Sequence, residues 1–131
     1  MRSVTGTAPS GSRLLAAWRC SIAGFRQAFA HEAAFREEVV ALAVLTPLAL
    51  WLPVPRTERL LLVASMLLVL AVELLNSAIE ATVDRISLER HPLSGQAKDL
   101  GSAAVAVALL ISALCWGVIG GPLLVGWLAA R

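Results

Sequence analysis

A chain of 131 residues that is 58% hydrophobic and 15% charged, with a mean hydropathy of +0.77, is more apolar than a soluble domain, where about half the residues are apolar and about a quarter charged. The composition points into a bilayer and the length to one domain. A net charge of +2 without a dense basic block argues against a nucleic-acid partner, and Cys20 and Cys115 show neither CxxC nor metal spacing.

The segment 1–12 is rich in Ser, Thr, Gly and Pro and has no apolar run of the kind a signal peptide carries, so it reads as a disordered tail. From about 13 to 30, Leu14, Leu15, Trp18, Ile22, Phe25 and Phe29 recur at three- and four-residue steps, with Arg13, Arg19 and Arg26 between them. That pattern predicts an amphipathic helix lying in the headgroup layer.

Three apolar stretches follow. The first, Val39 to Val54, contains Thr46 and Pro47 and is short for a span, so a helix over about 37–54 that begins near Glu37 or earlier is expected. The second starts at Leu60 and continues in helical pattern through Glu73 to about Leu88. At ~1.5 Å per residue it reaches roughly 40 Å, enough to cross and emerge. The third, about 100–128, holds Gly117, Gly120, Gly121 and Pro122, which neighbouring helices can accommodate. The expected fold is thus an all-α membrane protein, with three transmembrane helices after an N-terminal surface helix and residues 13–131 as one membrane-embedded domain.

Eight of the 11 basic residues (Arg2, Arg13, Arg19, Arg26, Arg36, Arg85, Arg90, Lys98) fall on one side of these spans, and Arg56, Arg59 and Arg131 on the other. The excess predicts a cytoplasmic N-terminus and an external C-terminus. Trp51 and Trp127 then lie near the outer interface, while Trp116, mid-span, reads as packing.

The chemistry concentrates on the second span. Glu73, Asn76, Ser77, Glu80 and Asp84 are spaced to share one helix face. Glu73 follows directly on thirteen uncharged residues, where a carboxylate is costly and usually functional. A polar helix–helix seam is the plainer explanation for Asn76, and a solvated helix end the plainer one for Asp84. On the same side, Glu32, Arg36, Glu37 and Glu38 stand at the entry to the first span, with Glu32 and Arg36 spaced to pair. His91 to Asp99, with Pro92 and Gly95, reads as a turn, after which Lys98, Asp99 and Ser102 open the third helix.

Carboxylates, an asparagine and a lysine are therefore expected at one depth. Mg²⁺ takes oxygen ligands and shares them with substrate phosphates, a lysine offsets phosphate charge, and a further carboxylate can take a proton from a lipid hydroxyl. The set suits phosphoryl transfer to an interfacial alcohol, although composition alone also admits an ion-coupled transporter. No Walker, glycine-loop or HRD/DFG motif of soluble kinases is present, and His31-Glu32 does not extend to HExxH because Phe35 stands at the last position.

The run from Glu73 to Arg85, ELLNSAIEATVDR, resembles the signature of the small bacterial integral-membrane diacylglycerol kinases. Two further blocks match at family spacing: EAAFREE from Glu32 and AKDLGSAAV from Ala97, within a similarity reaching from Arg13 to Leu114. The resemblance implies a homotrimer in the bacterial inner membrane that phosphorylates diacylglycerol from ATP with Mg²⁺. It implies Glu73 as general base, Glu32 and Glu80 as metal-binding carboxylates, and Asn76 and Lys98 at the phosphates. It further implies Asp99 and Ser21 on the ATP side, with Arg13, Glu38 and Ser102 on the lipid side. Cys20 and Ala23 stand where relatives often carry an aromatic residue and a lysine. Undecaprenol kinase, of the same family, is the alternative enzyme, but the EAAFREE and GSAAV blocks favour diacylglycerol. A channel or transporter subunit is the alternative outside it. Three spans cannot easily wrap the Glu73 stripe, and the small residues Ala71, Ser77, Ala78 and Ala81 beside it would admit another chain closely.

Overall fold

The computed structural model describes residues 10–131, and the described residues are helical with no strand. Four helices follow in order: α1 Ser10–His31, α2 Ala33–Trp51, α3 Arg56–Ile86 and α4 Pro92–Ala129. The expected tail lies outside the described residues up to residue 9, and α1 begins three residues before the expected helix start.

α3 is the central element, packed on α2 along one side and on α4 along the other. Its buried residues Leu62, Ser65, Met66, Val69, Leu70, Glu73 and Asn76 recur at three- and four-residue steps, the spacing of one helix stripe. α1 touches the bundle only near its C-terminal end. There Ala28, Phe35 and Leu70 form a buried cluster with Val39, Leu42 and Leu74 around it, and the rings of Phe25 and Phe35 lie 6.4 Å apart. Elsewhere Leu14, Leu15, Trp18 and Ile22 of α1 are uncovered within the chain.

α3 and α4, of 31 and 38 residues, are long and apolar enough to cross a membrane. Their apolar windows are 33% and 6% buried, whereas the core helix of a soluble protein would be largely covered. α2 has 19 residues, with Arg36, Glu37 and Glu38 in its first turns, which leaves a shorter apolar length than about 20 residues. It runs through Pro47 to Trp51 without a break.

Two arginines close the ends of preceding helices. Arg36 donates from Nη1 to the carbonyls of Phe29 and Ala30, at 3.0 and 3.3 Å, covering the end of α1. Arg59 donates to the carbonyls of Ala49, at 3.1 Å, and Leu52, at 3.1 Å, at the end of α2. Carbonyls of a last helical turn have no partner within their own helix, and a guanidinium reaching back satisfies them.

The expected Glu32–Arg36 pair is therefore corrected. Glu32 sits in extended backbone at the break between α1 and α2, φ −105° and ψ 113°, and the Arg36 guanidinium is committed to α1. The expected turn from His91 to Asp99 is corrected as well, because α4 already starts at Pro92. His91 is its N-cap, with Nδ1 accepting from the Leu93 N–H at 3.2 Å. Proline at the first helical position loses no hydrogen bond and has its φ preset, and no described glycine has positive φ. Pro92 and Gly95 thus belong to a helix start.

Candidate functional site

α3 carries the centre of the site. Glu73 is 6% exposed and Asn76 9%, Ser77 and Glu80 are half-buried, and Asp84 at the far end is exposed. The stripe read from the sequence is therefore graded along its length, covered where α2 and α4 flank α3 and open where α3 passes beyond α2. Asn76 donates from Nδ2 to Glu80 Oε1 at 3.3 Å, one helical turn on, while its Oδ1 is buried without a hydrogen-bond partner.

Like charges surround Glu73. Glu32 and Glu80 act on it electrostatically, and Glu38, which has one carboxylate oxygen buried without a partner, does so from α2. Among the described residues the one ion pair joins Lys98 to Asp84. The Glu73 carboxylate consequently has no cation tied to it, and a buried carboxylate left in that state is expensive unless a ligand or a proton enters.

Lys98 Nζ lies 2.6 Å from Asp84 Oδ1 and also feels the charge of Glu80. The bond links the last turns of α3 to the second turn of α4 beside a cavity of about 500 Å³, lined by Asp84, Arg90, His91, Gly95 and Lys98 among others. A second groove, of about 470 Å³, separates α1 from α3. Ser21, His31 and Glu32 line one wall and Ser77, Ala78 and Ala81 the other. Ser21 is exposed, and its hydroxyl donates to the Ala17 carbonyl at 3.0 Å. His31 uses Nδ1 to donate to the Gln27 carbonyl at 3.0 Å.

The structure thus gathers Glu32, Glu38, Glu73, Asn76 and Glu80 within one chain, with Lys98 close to Glu80. It does not bring Asp99, Ser102 or Arg13 to them. Asp99 and Ser102 are exposed on faces of α4 other than the Gly101, Ala108 and Ser112 face that packs on α3, and Arg13 is exposed near the start of α1. Among the described residues, no three His, Cys, Asp or Glu side chains converge closely enough to form a complete metal cage. The donor chemistry present, carboxylate oxygens with an amide, nevertheless fits a cation that takes few protein ligands and completes its shell from phosphates and water.

Gly101 is the residue that reading the sequence missed. It is buried on α4 directly against Asn76, and a Cβ there would meet Asn76 Oδ1 and lie 3.3 Å from Asn76 Cγ. Nothing in the linear pattern distinguishes it from Gly95 or Gly117, because the signal exists only once α3 and α4 are in contact.

The family described as prokaryotic diacylglycerol kinase matches residues 19–120. A protein of Pseudomonas aeruginosa named diacylglycerol kinase is 59% identical over 107 residues, covering 82% of this chain and 87% of the relative. One of Escherichia coli, with the same name, is 48% identical over 108 residues, 82% and 88% of the two chains. A Helicobacter pylori relative, again so named, is 38% identical over 105 residues, 80% and 82% of the two chains. All the site residues above except Arg13 fall inside the matched stretch.

Proposed function

The chain belongs to the prokaryotic diacylglycerol kinase family, a family of lipid kinases, and on that premise we propose that it transfers the γ-phosphoryl group of ATP to diacylglycerol at the cytoplasmic face of the bacterial inner membrane. The observation that carries the reading is Glu73, a carboxylate buried at 6% exposure in an apolar helix with no ion-pair partner among the described residues. A salt-bridged carboxylate would be occupied, whereas this one is available to take the proton of a hydroxyl.

The step balances simply. The free hydroxyl oxygen of diacylglycerol forms a bond to the γ-phosphorus, the bond from that phosphorus to the β–γ bridging oxygen breaks, and ADP leaves. Glu73 receives the hydroxyl proton. Asn76 holds Glu80 at 3.3 Å, which supports Glu80, together with Glu32, as a Mg²⁺ ligand. When bound, Mg²⁺ supplies neutralisation of charge on the β- and γ-phosphate oxygens. Lys98, whose side chain is partly in solvent beside Asp84, exchanges that partner for phosphate and stabilises the same charge. The cavity of about 500 Å³ beside Lys98 has the size of a small-molecule site and takes the nucleotide. Ser21 reaches the ATP from the neighbouring α1–α3 groove that Glu32 also lines, and Asp99, turned away from the site of its own chain, serves the nucleotide of an adjacent one. Glu38, Ser102 and Arg13 contact the lipid.

The reading extends to a homotrimer with α1 as an interfacial helix, α2, α3 and α4 spanning the membrane, the N-terminus cytoplasmic and the C-terminus periplasmic. Support comes from the apolar surface that one chain leaves uncovered, since only 6% of the α4 window is buried, and from Asp99 and Ser102, which are turned outward where a neighbouring chain can use them. Ala71, Ala78 and Ala81 are exposed on α3 and would let that neighbour approach closely.

The experiment is phosphorylation by the purified protein with ATP and Mg²⁺, offered diacylglycerol and undecaprenol in parallel. Formation of phosphatidic acid in preference to undecaprenyl phosphate is expected. Preference for undecaprenol would move the chain to the other activity, and phosphorylation of neither would remove the reading.

A further inference from the structure

Gly101 lies inside a 38-residue helix, where glycine is less favourable than alanine because it gives up more backbone freedom on folding. Its φ is not positive, so no backbone conformation calls for it. The other described glycines on α4, at 95, 117, 120, 121 and 126, have nothing within 4 Å of an added Cβ, whereas a Cβ on Gly101 would collide with the Asn76 side chain. Space is therefore what position 101 provides, and the Asn76 amide is what fills it. With Oδ1 lodged there, Nδ2 of the same amide reaches Glu80 Oε1 at 3.3 Å. Asn76 is 9% exposed, so it has no solvent side to swing to.

We propose that Gly101 is a positioning residue for Mg·ATP binding: the notch at its Cα fixes the rotamer of Asn76, and Asn76 in turn holds the Glu80 carboxylate in place. The inference rests on the Mg·ATP reading above and deepens it by assigning a role to a residue that touches neither nucleotide nor lipid. An added methyl at 101 forces the amide out of the notch, and the Asn76–Glu80 bond is lost with it. Glu73 lies a turn earlier on α3 and does not depend on the notch, so affinity for Mg·ATP should suffer more than turnover at saturation.

The test is a double-mutant cycle of Gly101→Ala and Asn76→Ala, read by the Kd of Mg·ATP, by kcat and by the thermal midpoint without nucleotide. Gly101→Ala is expected to weaken Mg·ATP binding roughly tenfold, the scale of one hydrogen bond to a charged group, with a smaller change in kcat. On the Asn76→Ala background, where no amide competes for the space, the same substitution should change neither Kd nor midpoint further. Ala108→Leu, which enlarges another buried α4 residue, should lower the midpoint without weakening Mg·ATP binding. Equal weakening by Gly101→Ala on both backgrounds, or none on either, would overturn the proposal. Should Gly101→Ala not assemble, recovery of folded protein in the double mutant supports it and continued failure overturns it. A parent that binds Mg·ATP yet phosphorylates no lipid would defeat the proposed function alone, since the cycle in Kd and midpoint is read without turnover.

Discussion

Lys98 Nζ stands 2.6 Å from Asp84 Oδ1 across the contact of α3 and α4, with both side chains partly in solvent at 40% and 48% exposure. An ion pair so exposed contributes little to stability, because solvent screens it and two long side chains must be held still. Its value lies in where it parks the lysine. Asp84 keeps the ammonium at the mouth of the α3–α4 cavity, from which it can pass to a phosphate.

Lys98→Met should accordingly leave the thermal midpoint nearly unchanged while weakening ATP binding. Asp84→Asn should also be nearly neutral for stability and should not weaken ATP binding to the same degree. Equilibrium binding and a melting curve on the same preparations check both statements. A large loss of stability with unchanged ATP affinity in Lys98→Met would make the pair a structural clamp instead.

Alanine at Glu32 or at Glu80 should weaken Mg²⁺-dependent nucleotide binding by roughly tenfold or more, the scale on which residues supporting a metal act. The loss should be absent when binding is measured without Mg²⁺. If both variants bind Mg·ATP as the parent does, the cation is held elsewhere.

Arg36→Ala removes the two bonds that cover the Phe29 and Ala30 carbonyls. We expect a cost on the order of 1 kcal/mol per bond lost, concentrated at the α1–α2 junction. Faster amide exchange around His31 and Glu32, with exchange in the middle of α3 unchanged, is the predicted pattern. Uniform acceleration along the chain would mean that Arg36 supports the whole bundle.

How much of this was legible in the sequence differs from residue to residue. The face shared by Glu73, Asn76 and Glu80 follows from helical periodicity alone, and the structure keeps it. The apolar runs announced α3 and α4, whose membrane character depends on composition. Arg36 was misread because the i,i+4 rule assumes an unbroken helix, and the break falls at Glu32. Pro92 and Gly95 were misread because the same residues serve turns and helix starts, and only the His91 cap decides between them. Gly101 was invisible because its role depends on a contact between residues of two helices. Asp99 and Ser102 were expected beside Glu73, yet they face outward on α4 in the single chain, because which face of α4 packs on α3 is set by the tertiary contact and not by the linear pattern.

That outward position makes a prediction about assembly. If Asp99 serves the site of a neighbouring chain, Glu73→Gln and Asp99→Asn chains, each inactive alone, should regain part of the activity when co-assembled. Co-purification of differently tagged chains establishes that mixed assemblies form. Mixed assemblies that stay inactive would mean that each site is complete within one subunit, and full turnover by a detergent-solubilised monomer would dispense with the trimer.

The most direct test of the whole account is the Glu73→Gln substitution, because the amide keeps the shape and hydrogen-bonding capacity of the carboxylate but cannot take a proton. Transfer of labelled γ-phosphate from ATP to diacylglycerol should be measured for parent and variant side by side, with Mg·ATP binding measured on both. The account predicts rapid formation of phosphatidic acid by the parent, a fall of about 10²–10⁴ in turnover for the variant, the usual contribution of a positioned base, and little change in binding. Turnover close to that of the parent in Glu73→Gln would contradict it.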